Sequence, residues 1–223
     1  MRWVAAILWM LGAAWGSVAE PSRGATLWAA EEGSPALPGI VTVVVGHPEQ
    51  TERLYAGSQQ GFFVSDDAGA HWRRVLTLRG AVIHDVALAP AHPLVIYLAT
   101  ARGLYRSEDG GQQWRRRYGG WAEGDSDVLA VAVHPTDPEQ VVIGTSTRGL
   151  LTRDGGKTWR PALLPMQVAP ISAALYHPRD PTSLYLVTAA GLYRSRDGGD
   201  QWARVFRGAT PGDVGGEATE DSS

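Results

Sequence analysis

Four aspartates stand at matched places in this chain: Asp67 in "VSDDAGAHW", Asp109 in "RSEDGGQQW", Asp154 in "LTRDGGKTW" and Asp197 in "RSRDGGDQW". A carboxylate near a hydroxyl and ahead of a tryptophan could serve as a general acid or grip a ligand. Other groups able to do chemistry are fewer. His84 and Asp85 are adjacent, Glu123, Asp125 and Asp127 crowd "WAEGDSDV", and His47, His134 and His177 each precede a proline. Two arginine-rich stretches, "HWRRV" and "WRRRYGGW", bring Arg73, Arg74, Arg115, Arg116 and Arg117 together with Tyr118 and Trp121. The chain has no cysteine, which excludes disulfides, thiolate metal sites and a cysteine nucleophile.

Repetition decides what the four aspartates are for. Each precedes a tryptophan by five residues, and those tryptophans, Trp72, Trp114, Trp159 and Trp202, are 42, 45 and 43 residues apart. A glycine stands ten or eleven residues before each (Gly61, Gly103, Gly149, Gly191), and a proline 24 before (Pro48, Pro90, Pro135, Pro178). Self-similarity at a fixed period marks a repeat architecture. Four copies of one catalytic acid would make little chemical sense, so the recurring residues read as a folding device. They are Ser65, Asp67, Gly69 and Trp72; Ser107, Asp109, Gly111 and Trp114; Thr152, Asp154, Gly156 and Trp159; Ser195, Asp197, Gly199 and Trp202. In such a turn the aspartate accepts hydrogen bonds from its own backbone, the glycine supplies a positive φ and the tryptophan packs beneath.

The elements that must position these turns can be read in the third copy. "DVLAVAVHP", "QVVIGTST", "GLLTR" and "WRPALL" are β-rich runs separated by turn signals. Four strands in about 43 residues make a propeller blade, so the expected fold is all-β, a propeller of about four four-stranded blades over residues 39–207. Trp28 continues the spacing 44 residues before Trp72. Residues 25–31 therefore read as a degenerate outer strand within an N-terminal lead-in, 20–38. That strand is one too many for a ring of four. It could cap a small closed or nearly closed ring, the favoured arrangement, belong to a remnant fifth blade, or signal that two chains, a homodimer, complete a larger ring. Residues 1–19 have Arg2, an apolar run and Ser17-Val18-Ala19, the pattern of a cleaved signal peptide; an uncleaved anchor is the alternative. The expected location is then periplasmic or extracellular. Residues 208–223 carry four acids, no base and no apolar periodicity, and read as a disordered acidic tail. The net charge of -3 gives no support to nucleic-acid binding.

The Ser-x-Asp-x-Gly-x-x-Trp string resembles the Asp-box, or BNR repeat. It occurs in sialidases, sortilin-type receptors, xyloglucan-cleaving glycosidases and photosystem II assembly factors. The resemblance covers roughly residues 25–207 and implies a propeller with the boxed turns on its periphery, away from any central site. It implies no single function. The Phe/Tyr-Arg-Ile-Pro string that accompanies sialidase chemistry is missing. A glycosidase would need two carboxylates at a fixed separation, and the acids of "WAEGDSDV" read instead as solvated loop residues. His84 and Asp85 interrupt an apolar series on the innermost strands, which line the channel. They are a candidate channel pair, although neighbours on a strand point to opposite faces. The three prolyl-flanked histidines lie a blade or more apart and read as turn residues, with no metal site and no cofactor expected. Arg73, Arg74, Arg115, Arg116, Arg117, Tyr118 and Trp121 combine the residue types that anchor protein interfaces. The expectation is an exported, non-enzymatic propeller that binds a protein partner, such as an assembly or stability factor or accessory subunit of a membrane complex, with no catalytic residue assigned. A carbohydrate-active enzyme or glycan-binding module is the alternative.

Overall fold

The computed structural model describes residues 37–121, 125–165 and 170–207. Within them the repeats become four antiparallel four-stranded sheets, each in simple sequence order. Blade 1 holds β1 (Val41–Gly46), β2 (Leu54–Ser58), β3 (Gly61–Ser65) and β4 (Arg73–Arg74). Blade 2 holds β5 (Ile83–Ala89), β6 (His92–Thr100), β7 (Gly103–Ser107) and β8 (Arg115–Tyr118). Blade 3 holds β9 (Val128–Val133), β10 (Val141–Thr145), β11 (Gly149–Thr152) and β12 (Arg160–Pro161). Blade 4 holds β13 (Ile171–His177), β14 (Asp180–Thr188), β15 (Gly191–Ser195) and β16 (Ala203–Arg207). Pro161 is tolerated because β12 is an edge strand.

Blades stack face to face, so a middle strand is covered on both sides and loses the apolar-polar alternation of a half-buried strand. Strands β3, β10 and β11 are buried at every position. Three hydrophobic clusters fill the three junctions. Tyr55, Phe62 and Val64 meet Ile83, Val86 and Leu98 between blades 1 and 2. Tyr97, Leu104 and Tyr118 meet Val131, Val141 and Ile143 between blades 2 and 3. Val142 and Leu151 meet Tyr176, Leu186 and Trp202 between blades 3 and 4. Near the channel the blades approach so closely that two second strands use glycine. A Cβ on Gly144 would lie 2.6 Å from both Ile171 Cγ2 and the Ile171 carbonyl oxygen, and one on Gly57 would lie 2.6 Å from Ile83 Cγ2.

The expected closed or nearly closed ring is corrected. Inner strands β1, β5, β9 and β13 pack consecutively, but β13 has no comparable packing against β1. The four blades form an open arc. Its end strands show the consequence, with β16 exposed throughout and β1 nowhere fully buried. The sequence reading favoured a ring closed by four blades and left a fifth blade or a second chain as alternatives; the packing joins blades 1 to 4 in sequence and does not bring blade 4 back onto blade 1. The degenerate strand around Trp28, the signal segment and the acidic tail lie outside the described residues.

Candidate functional site

Each boxed turn is closed by two side chains. In blade 2, Ser107 Oγ accepts the amide of Gly111 at 2.8 Å and donates to Asp109 Oδ1 at 2.8 Å, while that same carboxylate oxygen accepts the amides of Gln112 and Gln113 at 2.9 Å. Blades 1, 3 and 4 repeat the bond from the glycine amide to the hydroxyl at Ser65, Thr152 and Ser195. The glycine that donates it has φ between 86° and 92° in all four, a conformation that glycine adopts without a Cβ penalty. These carboxylates are consumed by their own turns. The amide and imidazole of His71, with the Ser65 hydroxyl, hold Asp67 down to about 2, and the hydroxyl and amide of Thr158 lower Asp154 further. A group this acidic cannot carry a proton near neutrality. The hydroxyl's part in the turn was not foreseen from the sequence, although its recurrence was the available signal.

The prolyl-flanked histidines do a similar local task. Nδ1 of His47 accepts the amides of Glu49 and Gln50, that of His134 the amides of Thr136 and Asp137, and that of His177 the amides of Arg179 and Asp180. Among the described residues no cluster of three or more His, Asp or Glu could hold a metal ion.

His84 and Asp85 do not form a pair. A bulge between Ile83 and Asp85 breaks the pleat, and a bulge sets two residues of one strand against one of its partner. As a result both side chains reach blade 3, where they meet different groups. His84 Nε2 lies 3.0 Å from Asp127 Oδ1, near enough for an ion pair but not aligned as a hydrogen bond. Asp85 accepts the amides of Val86 at 2.8 Å and Val131 at 3.0 Å. Burial nevertheless raises its carboxyl above the ordinary range, against the pull of those two amides. Asp85 staples blade 2 to blade 3.

Of the loop acids, Glu123 lies outside the described residues, Asp127 keeps a side chain 38% exposed, and Asp125 needs correction. Asp125 is 3% exposed and is not a solvated loop acid. It accepts the Tyr118 hydroxyl at 2.9 Å and the Thr147 hydroxyl, with Arg148 Nε 3.7 Å away. Burial alone would raise its carboxyl, but these donors outweigh it and hold it below the usual range. At the same junction, before β10 rather than after it, Arg106, 6% exposed, forks onto Glu139 of blade 3 and lies 5.5 Å over the ring of Tyr97, whose hydroxyl donates to the Pro138 carbonyl at 2.9 Å. Neither group was singled out from the sequence. Arg106 and Glu139 are 33 residues apart, and only the blade register brings them together.

The arginine-aromatic candidates are dispersed. Tyr118 is 4% exposed and points into the junction, where Trp159 stacks edge-on at 5.7 Å; it cannot anchor a partner. Arg117 pairs with Glu108, and its carbonyl accepts Trp159 Nε1. Arg73 pairs with Asp66 at 2.6 Å, and Arg74 lies 5.3 Å over Phe63. Trp121 is half exposed, with Arg148 5.4 Å from its ring centre. Arg115 and Arg116 alone of the group remain exposed on β8 without a carboxylate partner among the described residues. A cleft of about 250 Å³ between blades 1 and 2 is lined by Arg53, Arg73 and the Gly110–Gln112 turn, and both arginines pair with Asp66.

The family described as Sortilin-Vps10 (sortilin, neurotensin receptor 3) matches residues 102–220. A search of curated proteins returned no match. Among solved structures, an ancestral GH74 enzyme is similar at 21% identity over 85% of this chain, with a TM-score of 0.66. The GH74 xyloglucanase from Xanthomonas campestris is similar at 25% identity over 75% of the chain, with a TM-score of 0.64. YCF48 from Cyanidioschyzon merolae is similar at 17% identity over 79% of this chain and 59% of its own, with a TM-score of 0.56. The chain spans only 26% and 31% of the length of the two GH74 enzymes.

Proposed function

The chain belongs to the Sortilin-Vps10 family, and from that premise we propose that it is a non-enzymatic interaction module that acts after export. In this reading residues 1–19 are removed as a signal peptide, 20–38 lead into the propeller of 39–207, and 208–223 form an acidic tail. Its partner is a protein with an acidic docking surface, and its role is that of an assembly or stability factor, or an accessory subunit, of a membrane complex. The observation that carries the proposal is the outer edge of blade 2. Arg115 and Arg116 are exposed and without carboxylate partners among the described residues, while Arg106 and Arg117 beside them are paired. An edge strand also presents free amides and carbonyls to an incoming chain. Arginine is the cation best suited to carboxylate recognition, because its planar fork donates two parallel hydrogen bonds.

The competing reading, a carbohydrate-active protein, is supported by the likeness to the xyloglucanase. Asp85, Asp125 and the boxed aspartates do not favour it, since each is occupied by backbone or side-chain donors.

The test is affinity capture from native envelope extract by the tagged chain, beside an Arg115→Glu/Arg116→Glu variant of unchanged melting temperature. Stoichiometric capture of one protein, lost in the variant and reproduced with purified components, supports the proposal. Equal capture by both proteins, or none, refutes it. Saturable binding of xyloglucan oligosaccharides would move the assignment to the second reading.

A further inference from the structure

Two blade faces have no neighbour in the described arc: the trailing face of blade 4 and the leading face of blade 1. The trailing face can be compared position by position with that of blade 2, because β7 and β15 carry the identical string Gly-Leu-Tyr-Arg-Ser. In blade 2, Tyr97 lies beside Arg106, and Ala99 beside Leu104, which lies beside Tyr118. All five are buried beneath blade 3. In blade 4 the same register places Tyr185 beside Arg194, and Val187 beside Leu192, which lies beside Phe206. Here Val187 is 38% and Phe206 66% exposed. Arg194 lies over Tyr185 at 5.5 Å, as Arg106 does over Tyr97, but it has no carboxylate partner among the described residues.

What blade 3 gives to blade 2 is matched by what blade 1 leaves unused. Glu139 takes the Arg106 fork, the Pro138 carbonyl takes the Tyr97 hydroxyl, and Trp159 packs on Tyr118. In blade 1 the equivalent residues are Glu52, Thr51 and Trp72. The Glu52 carbonyl accepts the Ala68 amide of its boxed turn as the Glu139 carbonyl accepts that of Gly155, which confirms the alignment. Glu52 is exposed, and Trp72 Nε1 donates to no group among the described residues, whereas Trp159 Nε1 donates across a junction to Arg117. Blades 2 and 4 do not share this acid: the same carbonyl belongs to Leu94 and Thr182 there. Nor do blades 1 and 3 share the arginine, which is replaced by Val64 and Leu151. The junction code therefore alternates. An arginine-bearing trailing face fits a glutamate-bearing leading face, and the Arg194 face, where the guanidinium donates to the Ser183 hydroxyl at 3.2 Å but meets no carboxylate among the described residues, fits the Glu52 face.

We propose that the occupant is a second copy of this chain: the trailing face of blade 4 docks on the leading face of blade 1 of the partner, and the converse junction closes an eight-bladed ring of two chains. Eight blades are within the usual range for propellers. A head-to-tail contact that repeats after half a turn closes with two-fold symmetry and leaves no free blade face. Arg194 meets the partner's glutamate at 52, Phe206 its tryptophan at 72, and Val187 its valine at 41, the counterpart of Ile83 and Ile171, which lie against Gly57 and Gly144 within the chain.

Sedimentation equilibrium of the full chain tests this. The expected species is twice 23.9 kDa. Arg194→Glu and Glu52→Arg should each weaken the dimer about tenfold or more, and the double exchange should restore it, because the pair is re-formed with reversed sign. Restoration also excludes misfolding as the cause of the single-variant losses. Since the chain has no cysteine, Val187→Cys/Val41→Cys provides an independent readout: oxidation should link two chains into a covalent dimer. A monomer at about 100 µM, a dimer indifferent to both reversals, open-ended polymers, or a disulfide formed within one chain would each overturn the proposal. None of these readouts involves Arg115 or Arg116, so failure here and failure of partner capture are separate results.

Discussion

The closest approach between blades yields a quantitative prediction at Gly144. A methyl group at this position would sit 2.6 Å from the Ile171 carbonyl oxygen and 2.7 Å from Ile171 Cβ. Both belong to the neighbouring inner strand, so relief requires blade 4 to move away from blade 3. Overpacking of this kind costs about 1–3 kcal/mol. For a domain of this size each kcal/mol lowers the melting temperature by about 2–4 °C, so Gly144→Ala should melt roughly 2–12 °C below the wild type. Gly46→Ala is the control. Its nearest new neighbour is Leu54 Cδ2 at 3.8 Å, an ordinary contact, and replacing a strand glycine there should be neutral or slightly stabilising. Gly57 gives a second, sharper check. The three atoms nearest its Cβ all belong to the Ile83 and Val43 side chains, so Gly57→Ala combined with Ile83→Ala should be less destabilising than the sum of the two changes, with a coupling of about 0.5–3 kcal/mol. Gly144→Ala with Ile171→Ala should recover less, because the carbonyl remains. Differential scanning calorimetry reads all of these. Equal melting temperatures for Gly144→Ala and Gly46→Ala would refute the claim that blade spacing is set at these two glycines.

Two further outcomes follow from the site geometry. The boxed turns predict acid sensitivity: Asp67 is held down to about 2 by His71 and Ser65, and its unfolded value is near 3.9. A depressed carboxylate contributes stability that is complete above the unfolded value and is lost as pH falls through the folded one. Chemical denaturation midpoints should therefore fall between about pH 4 and pH 2, and Asp67→Asn should flatten that part of the profile. Tyr118→Phe removes the hydroxyl donated to the buried Asp125 and should destabilise by about 1–3 kcal/mol in urea unfolding, while partner capture through Arg115 and Arg116 is unchanged; loss of capture without loss of stability would return Tyr118 to the surface role expected from its sequence context.

What could be read from the chain and what could not divide along a physical line. Strand order and turn position depend on contacts within some 43 residues, so glycine, proline and tryptophan at fixed offsets were enough to give four units of four strands, as the four sheets show. The junctions depend on side chains that meet across blades, and there single stretches mislead. "WRRRY" reads as one basic patch, yet β8 sends Tyr118 inward, ties Arg117 to Glu108 and leaves only Arg115 and Arg116 exposed. His84 and Asp85 read as a strand dipeptide with opposed side chains, and the bulge turns both toward blade 3. Asp125 sits in a stretch of polar loop residues, and only the fold supplies the Tyr118 and Thr147 hydroxyls that allow it to be buried.

The junction chemistry nevertheless has its own period, and it is not that of the boxed turns. Arg106 and Arg194 are 88 residues apart, and Glu52 and Glu139 are 87 apart, so charge across junctions recurs every second blade while the tryptophans recur every blade. A fold device must serve each blade alike, and one turn repeated four times does so. A junction that must select its neighbour benefits from two alternating codes, because an arginine face set against Leu94 or Thr182 would bury an unpaired cation, whose cost exceeds the gain from apolar contact. The one-blade period thus specifies how each sheet folds, and the two-blade period specifies the order in which blades meet. Under that second rule Arg194 of the last blade calls for a glutamate-bearing blade, and Glu52 places blade 1 in that class.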